Sequence, residues 1–368
     1  MRQLPEYPWD TLKPYVDRAK AHPEGAVDLS VGSPVDATPD SARAALADAS
    51  AAQAYPATVG SLELREAIVA WYQRRRGVQL AETNVLPTVG SKELVALLPF
   101  LLGLGAGDAV VYPEIAYPSY EMGAALVGAA AVPCDDPANW PEKTKLVWVN
   151  SPANPHGRVL SLEQLREAVT RARELGAVLV SDECYAEFGW EAPWDLEPIP
   201  SVLDARVVGE EMTGVLAAYS LSKQSNLAGY RAAFVAGDAE LISQLLVVRK
   251  HAGLMVPAPI QAATVAALAD DSAVSAQKQR YQARREVLLP ALQRGGWQIS
   301  HSEAGLYLWA TQGVDCWDSI SFLAERGIIA GPGIFYGAAG AKHVRFALTA
   351  TDEKIAAAAD RLRSANFR

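Results

Sequence analysis

Cysteine is scarce in this chain. Its 368 residues include three, Cys134, Cys184 and Cys316. The number is odd and the spacing wide, which argues against both a disulfide framework and a zinc site. Cys184 sits beside Asp182 and reads as a small buried residue. Excess positive charge is also missing: 33 Lys and Arg stand against 42 Asp and Glu, a formal net charge of −9. Nucleic acid and anionic membranes are therefore poor partners. No apolar run approaches the ~18 residues that a membrane span requires. Met1-Arg2-Gln3 leads into prolines and charges rather than a signal-peptide core, so the expected location is the cytoplasm. The chain also lacks internal repeats, low-complexity linkers, long charge runs and a basic helix-turn-helix segment ahead of its main region.

What is present is an alternation of strand and helix signals from about Pro87 to Gly237, the pattern of an α/β unit, in a chain long enough for two domains. Lys145-Leu-Val-Trp-Val149 and Ala177-Val-Leu-Val-Ser-Asp182 are short continuous apolar runs, as expected of strands buried on both faces. The first opens into Asn150-Ser-Pro-Ala-Asn154-Pro-His-Gly157, whose prolines and glycine predict a rigid loop. The second ends in Asp182 and Glu183, with Tyr185 close behind. A carboxylate at the end of a buried strand needs a partner, either an arginine or cap elsewhere in the chain or a cationic ring nitrogen. Thr88-Val-Gly90-Ser91-Lys92-Glu93 reads as a glycine turn opening a helix, whose free amides and positive dipole end suit a phosphate and equally suit an ordinary helix start. Gly305-Leu-Tyr-Leu-Trp309 reads as a further strand, and Val256 to Arg285 as one helix.

The most informative segment is Ser220-Leu-Ser-Lys-Gln-Ser-Asn-Leu-Ala-Gly-Tyr-Arg231. It follows the strand-like Val215 to Ala218, so Lys223 falls on the loop at a strand end, where open α/β sheets bind ligands. One lysine among hydroxyl residues, with an arginine eight positions on, can hold an aldehyde and a phosphate on one molecule. A lone Ser-x-x-Lys is more often a solvated loop lysine, and the motif gains meaning only in register with the others.

Taken in order, Leu29-Ser-Val-Gly32, Tyr55-Pro with Gly60-Ser-Leu-Glu-Leu-Arg65, Gly90-Ser-Lys-Glu, Pro113-Glu-Ile-Ala-Tyr117-Pro-Ser-Tyr120, Asn154-Pro-His-Gly157, Asp182-Glu-Cys-Tyr185, Ser220-Leu-Ser-Lys223 with Arg231, and Val344-Arg345-Phe-Ala-Leu348 resemble the class I/II pyridoxal-phosphate-dependent aminotransferases of fold type I over nearly the whole chain. The opening Leu4-Pro-Glu-Tyr-Pro-Trp-Asp-Thr-Leu12 and the stretch His22 to Asp36 are similar, more narrowly, to actinobacterial N-succinyldiaminopimelate aminotransferases. Two positions depart from the family pattern: Ala232, where a glycine often follows the phosphate-binding arginine, and His156, where a threonine is common. His156 is expected to be a solvated loop histidine.

The resemblance implies an α/β fold: a large domain with a mostly parallel seven-stranded sheet between helices, over residues 46–250, and a smaller α+β domain formed by residues 251–368, which the N-terminal segment, residues 1–45, joins. It implies pyridoxal 5′-phosphate as cofactor. Lys223 would hold it covalently and then act as the acid–base group, Asp182 would pair with its ring nitrogen, and Tyr185 and Asn154 would donate to its ring oxygen. Tyr117 would stack on the ring. Ser220, Arg231 and the amides of Ser91 and Lys92, with Ser222 in support, would bind the phosphate, joined by Tyr55 from the partner subunit of a homodimer. Arg345 and the backbone at Gly32, with Asn154, would hold the substrate α-carboxylate. Arg158, Lys92 and the segment around Ser33 are candidates for its distal end. The narrower resemblance implies transfer of the amino group of N-succinyl-L,L-2,6-diaminopimelate to 2-oxoglutarate in lysine biosynthesis. Another class I/II aminotransferase activity, or C–S β-lyase chemistry on the same scaffold, is the alternative. No metal is expected.

Overall fold

The computed structural model describes residues 8–363. Residues 4–7 of the opening motif and Met1-Arg2-Gln3 lie outside the described residues. Among the described residues, thirteen strands follow in chain order: β1 (Val27–Asp28), β2 (Val85–Val89), β3 (Ala109–Tyr112), β4 (Ala130–Pro133), β5 (Thr144–Asn150), β6 (Val178–Asp182), β7 (Val215–Ser220), β8 (Ala232–Gly237), β9 (Gln298–Ile299), β10 (Tyr307–Thr311), β11 (Ile328–Ile329), β12 (Gly331–Pro332) and β13 (His343–Ala347). The helices are α1 (Lys13–Lys20), α2 (Asp40–Asp48), α3 (Leu62–Arg76), α4 (Ser91–Leu101), α5 (Ser119–Val127), α6 (Leu162–Glu174), α7 (Ala205–Val208), α8 (Leu221–Gln224), α9 (Ala239–Ala252), α10 (Ala258–Ala269), α11 (Asp271–Arg294), α12 (Cys316–Ala324) and α13 (Asp352–Arg363).

Seven strands form one sheet in the order β2-β8-β7-β6-β5-β3-β4. The ladders β7-β6-β5-β3-β4 are parallel, and β8 runs antiparallel to both its neighbours. The continuous apolar runs belong here because both faces are covered. Alternate residues go to opposite cores: Val147, Leu179, Ala217 and Phe234 pack with Ile68 and Trp71 of α3 and Leu165 of α6, while Trp148, Val180, Leu216 and Val235 pack with Leu94 and Leu98 of α4, Ala124 of α5 and Leu245 of α9. The flanking helices are cut cleanly at their ends. Ser61 caps α3 by accepting from the Leu64 amide at 3.2 Å, Gly77 ends it at φ 66°, and Ser161 with Gln164 forms a capping box on α6.

A second sheet, β12-β13-β10-β9, and the parallel pair β1-β11 pack with the apolar faces of α11, α12 and α13. The pair matters for the site because β1 is an N-terminal strand held by a C-terminal one: Val27 opposes Ile328 and Asp28 opposes Ile329. The segment that follows is tied down by Arg284 of α11, whose side chain is 4% exposed. Arg284 reaches both Asp36 oxygens, at 2.8 and 2.6 Å, and donates from Nε to Asp352 at 2.7 Å. Asp36 loses water on burial, but its bonds to Arg284 and Gln277 outweigh that and hold the carboxyl below its ordinary range.

One expectation is corrected. Residues 256–285 form parts of two helices rather than one, because Asp270 leaves helical geometry (φ −99°, ψ 71°) and caps α11 by accepting from the Ala273 amide at 3.0 Å. Its other oxygen takes the Ser41 hydroxyl at 2.6 Å, so the break also ties α2 to the helix junction. Among the described residues no helix is long and apolar enough to cross a membrane.

Replacing Arg284 with methionine strands the Asp36 carboxylate and should lower the unfolding free energy by about 3 kcal/mol in urea titration. Asp352→Asn, at a partner whose side chain is 75% exposed, should cost less than about 1 kcal/mol.

Candidate active site

The parallel strands end at one edge of the large sheet, where they deliver Asn150 (β5), Asp182 (β6) and Ser220 (β7). Gly90, just after β2, and Arg231, just before the antiparallel β8, flank the same edge. Asn150 and Asp182 are register neighbours. The Asp182 carboxylate, 7% exposed, accepts from the Tyr120 hydroxyl at 2.9 Å and from the Cys184 amide at 3.2 Å. Burial raises its pKa in spite of these donors. No lysine or arginine pairs with it among the described residues. Tyr120 is fully buried and stacks on Trp148 at 5.1 Å, which sets the direction of its hydroxyl.

Lys223 lies on α8, directly after β7, with Ser220 capping the turn by accepting from the Ser222 amide at 3.2 Å. Its ammonium donates to the Gly32 carbonyl and has no carboxylate partner among the described residues. Burial lowers its pKa, and the charges of Arg345 and Arg231 act in the same direction. Gly32 is a glycine for a local reason: a Cβ there would overlap the Tyr307 hydroxyl.

Beside β2, Gly90 (φ 76°) precedes α4 without any side-chain cap, so the helix opens with free amides at Ser91 and Lys92. A Cβ on Gly90 would strike the Arg231 guanidinium, which the left-handed Arg231 backbone (φ 57°) turns back over the helix start. Arg231 Nη1 donates to the Ala228 carbonyl at 2.9 Å, and the Ser220 and Ser222 hydroxyls lie 2.8 Å apart in the same cleft. Amides at a helix start, an arginine and two hydroxyls on one concave wall suit a phosphate.

The opposite wall comes from the second sheet. Arg345 of β13 is 4% exposed and lies between the rings of Tyr307 and Tyr336, with its guanidinium carbon 4.0 and 4.8 Å from their centroids. It donates to the Asn154 side-chain oxygen at 2.9 Å and to the Ser30 carbonyl at 2.6 Å, while Nε is buried with no partner among the described residues. Asn154 is set in turn by its amide bond to the Asn150 side chain at 2.7 Å, which leaves its NH2 group as the donor for the cleft. A buried guanidinium that meets only neutral oxygens has strong affinity for a carboxylate.

Every expected site residue except Tyr55 and Arg158 lines one cleft of about 580 Å³, including Gly32, Tyr117, Tyr185 and Ser222. Tyr55 projects from its own chain, 95% exposed. Arg158 lines a separate cavity behind the Asn154 loop. His156, expected as a solvated loop residue, shares that cavity instead. It is half-buried, its ring lies 5.2 Å from that of His301, and its Nδ1 accepts from the Arg158 amide at 3.2 Å. Burial, with His301, Arg158 and His343 nearby, brings its pKa down to about 3. Sequence reading passed over Tyr307 and Tyr336, and took Tyr120 only as part of a motif. Tyr117 lies just ahead of α5 and Tyr120 in its first turn, their rings edge to face at 6.0 Å. Tyr307 gave no signal, since an aromatic in a buried strand is ordinary core.

The residues fit pyridoxal 5′-phosphate. The wall of Gly90, Ser91, Ser220 and Arg231 matches its phosphate, Asp182 with only neutral donors matches a protonated ring nitrogen, and the amine of Lys223, biased toward its neutral form, matches its aldehyde.

Residues 24–362 match the family described as aminotransferase class I and II. The 4-dedimethylamino-4-oxo-anhydrotetracycline transaminase OxyQ of Streptomyces rimosus is 56% identical, covering 98% of this chain and 100% of its own. The probable aminotransferase Rv1178 of Mycobacterium tuberculosis is 55% identical over 98% of this chain and 85% of its own. A solved structure of a probable N-succinyldiaminopimelate aminotransferase from Thermus thermophilus superposes with a TM-score of 0.83 at 30% identity, over 96% of this chain and 99% of that one.

The neutral His156 makes a pH prediction. Its folded pKa lies below the unfolded value, near 6.5, so as pH falls below 6.5 the unfolded chain takes a proton that the folded chain refuses. Stability should fall by up to about 1.4 kcal/mol per pH unit from this group, down toward its folded pKa. His156→Asn should flatten the pH dependence of the urea midpoint between pH 6 and 4 by about one proton relative to the unaltered protein.

Proposed function

The chain belongs to the class I and II aminotransferases, which use pyridoxal 5′-phosphate, and we propose that within this family it moves the amino group of N-succinyl-L,L-2,6-diaminopimelate to 2-oxoglutarate, giving N-succinyl-2-amino-6-oxopimelate and glutamate. Bound in the cleft, the cofactor supplies an aldehyde for the amino group and a ring that accepts the electron pair of the α-carbon. Asp182 keeps the ring nitrogen protonated, with Tyr120 and the Cys184 amide holding the carboxylate in line. Lys223 takes the proton from the substrate α-carbon and holds it on Nζ, since burial biases that amine toward the neutral form. Arg345 would bind the α-carboxylate through its guanidinium, assisted by the Asn154 NH2, and Tyr117 would pack against the cofactor.

The observation that carries the substrate reading is the cleft lining that the phosphate and carboxylate groups leave over. It includes Trp9, Val31, Pro118 and Met122, and the one cation among the described lining residues whose side chain is not already assigned is Lys92. The Lys92 ammonium rests 5.9 Å from the Tyr117 ring centroid and has no carboxylate partner among the described residues. A long methylene arm ending in a carboxylate fits that combination better than a short acidic side chain or a second amine. The likeness to the Thermus structure supports this reading. The 56% identity to OxyQ over its full length supports a second one, transamination of a bulky polycyclic ketone against the same apolar walls. We further propose that the working form is a homodimer in which the exposed Tyr55 reaches the phosphate of the neighbouring site.

Glutamate should convert the visible absorption band of the holoenzyme to the pyridoxamine form, and glutamate should then form faster from N-succinyl-diaminopimelate than from aspartate. An equal or slower rate with the succinylated substrate rejects the narrower assignment. Lys223→Ala should abolish turnover with the fold intact, and Lys92→Met should raise KM for the succinylated substrate about tenfold at unchanged kcat.

A further inference from the structure

Tyr307 lines the cleft but has no part in the scheme above. It lies on β10, 4% exposed, opposite Ala347 and two residues from Trp309, the register neighbour of Arg345. Its hydroxyl is 3.2 Å from the hydroxyl of Tyr185 and fills the space that a Cβ on Gly32 would need. Its ring face lies 4.0 Å below the Arg345 guanidinium, and its ring meets that of Tyr185 edge to face at 5.7 Å. Tyr185 has no other hydroxyl partner among the described residues, so the direction of its O–H is set by Tyr307 alone.

We propose that Tyr307 is a positioning residue for the transamination: its hydroxyl orients the Tyr185 hydroxyl toward the cofactor, and its ring face holds the Arg345 guanidinium in the plane that meets the substrate carboxylate. One side chain thus aligns the group that tunes the cofactor with the group that holds the substrate. The proposal rests on the roles given above to Tyr185 and Arg345. The groups that face Tyr307 support it. Arg345 from β13 and Lys223 from α8 bring positive charge, Tyr185 and Cys184 come from the turn after β6, and Tyr281 comes from α11. Burial alone would push the phenol up, but Arg345, Lys223 and the hydrogen bond shared with Tyr185 together outweigh it and hold the phenol below its ordinary range, while the Tyr185 phenol is held above its own, which makes Tyr307 the stronger donor of the two.

The two halves of the role separate in two variants of the holoenzyme. Tyr307→Phe keeps the ring and removes the hydroxyl. It should leave the Kd of glutarate, a dicarboxylate with no amino group to react, within about twofold, and should shift the pH titration of the visible cofactor band by at least about half a unit. The same substitution made in a Tyr185→Phe background should shift the band no further, because its partner is gone. Tyr307→Leu removes the ring and should weaken glutarate binding about tenfold. A Tyr307→Phe band that titrates as in the unaltered enzyme, or a shift that persists undiminished in the Tyr185→Phe background, overturns the inference, and so does a Tyr307→Leu enzyme that binds glutarate normally. If Tyr307→Leu does not fold, the phenylalanine cycle still decides. Arg345→Lys serves as the control: undiminished glutarate affinity there rejects the reading of Arg345 itself, a failure distinct from that of Tyr307.

Discussion

Lys223, Arg231 and Arg345 converge on a cleft whose described lining includes a single carboxylate, Asp182, and none of the three is paired with it. Like charges brought together repel, and Lys223 and Arg345 have also lost water, so this arrangement is unfavourable for the chain taken alone. The imbalance becomes useful when a phosphate and a carboxylate enter together. Asp182 carries the complementary imbalance. It is a buried acid with neutral donors only, and a cationic ring nitrogen resolves it. The site therefore stores its affinity as unmet electrostatic demand, distributed so that each demand fits a different part of one bound assembly.

Holding such groups in place requires a stiff frame, and the large sheet provides it. The Asn150 side chain shows how local the control is. Its NH2 donates to the carbonyls of Pro152 and Asp182, and its oxygen receives the Asn154 amide. One buried amide thereby links two strand ends to the loop that steadies Arg345. From the other side, the loop at 301–304 presses on the same segment, with the Ser302 and Ala304 amides donating to the carbonyls of His156 and Gly157, each at 3.0 Å. His301 and Ser302 both adopt positive φ, and Arg285 braces Ser302 through its carbonyl and hydroxyl. His156 is neutral and half-buried because it sits inside this clamp.

Much of the frame was legible in the chain. Lys145-Leu-Val-Trp-Val149 reads as a buried strand because continuous apolar residues leave no solvent face, and Gly90 reads as a turn because Ser91, Glu93 and an apolar run follow it as at a helix start; the arginine laid against it is seen only in the fold. The residues near strand ends were legible only together: a loop lysine or a strand-end acid taken alone is commonly structural, and their register with the other motifs carried the reading. What escaped was decided in three dimensions. Asp270 breaks a helical run by a side-chain cap that also depends on Ser41, 229 positions away. His156 looks like any loop histidine until the 301–304 loop covers it. Tyr307 looks like core until Gly32 and Arg345, from opposite ends of the chain, close around it.

The short stretch from Val27 to Asp36 carries a consequence for how the protein is made. It pairs with Ile328 and Ile329, gives the Ser30 carbonyl to Arg345 and the Val31 carbonyl to Thr349, and fixes Asp36 on Arg284. Those partners lie up to 318 positions further along, so on the ribosome this segment is made well before anything it docks against. Every strand of the large sheet can be synthesised and paired before the carboxylate clamp exists. A nascent chain arrested after residue 250 would hold Lys223, Asp182 and the phosphate wall, yet lack the arginine that holds a substrate. The carboxylate clamp is thus the part of the site that waits for segments from both ends of the described chain to meet.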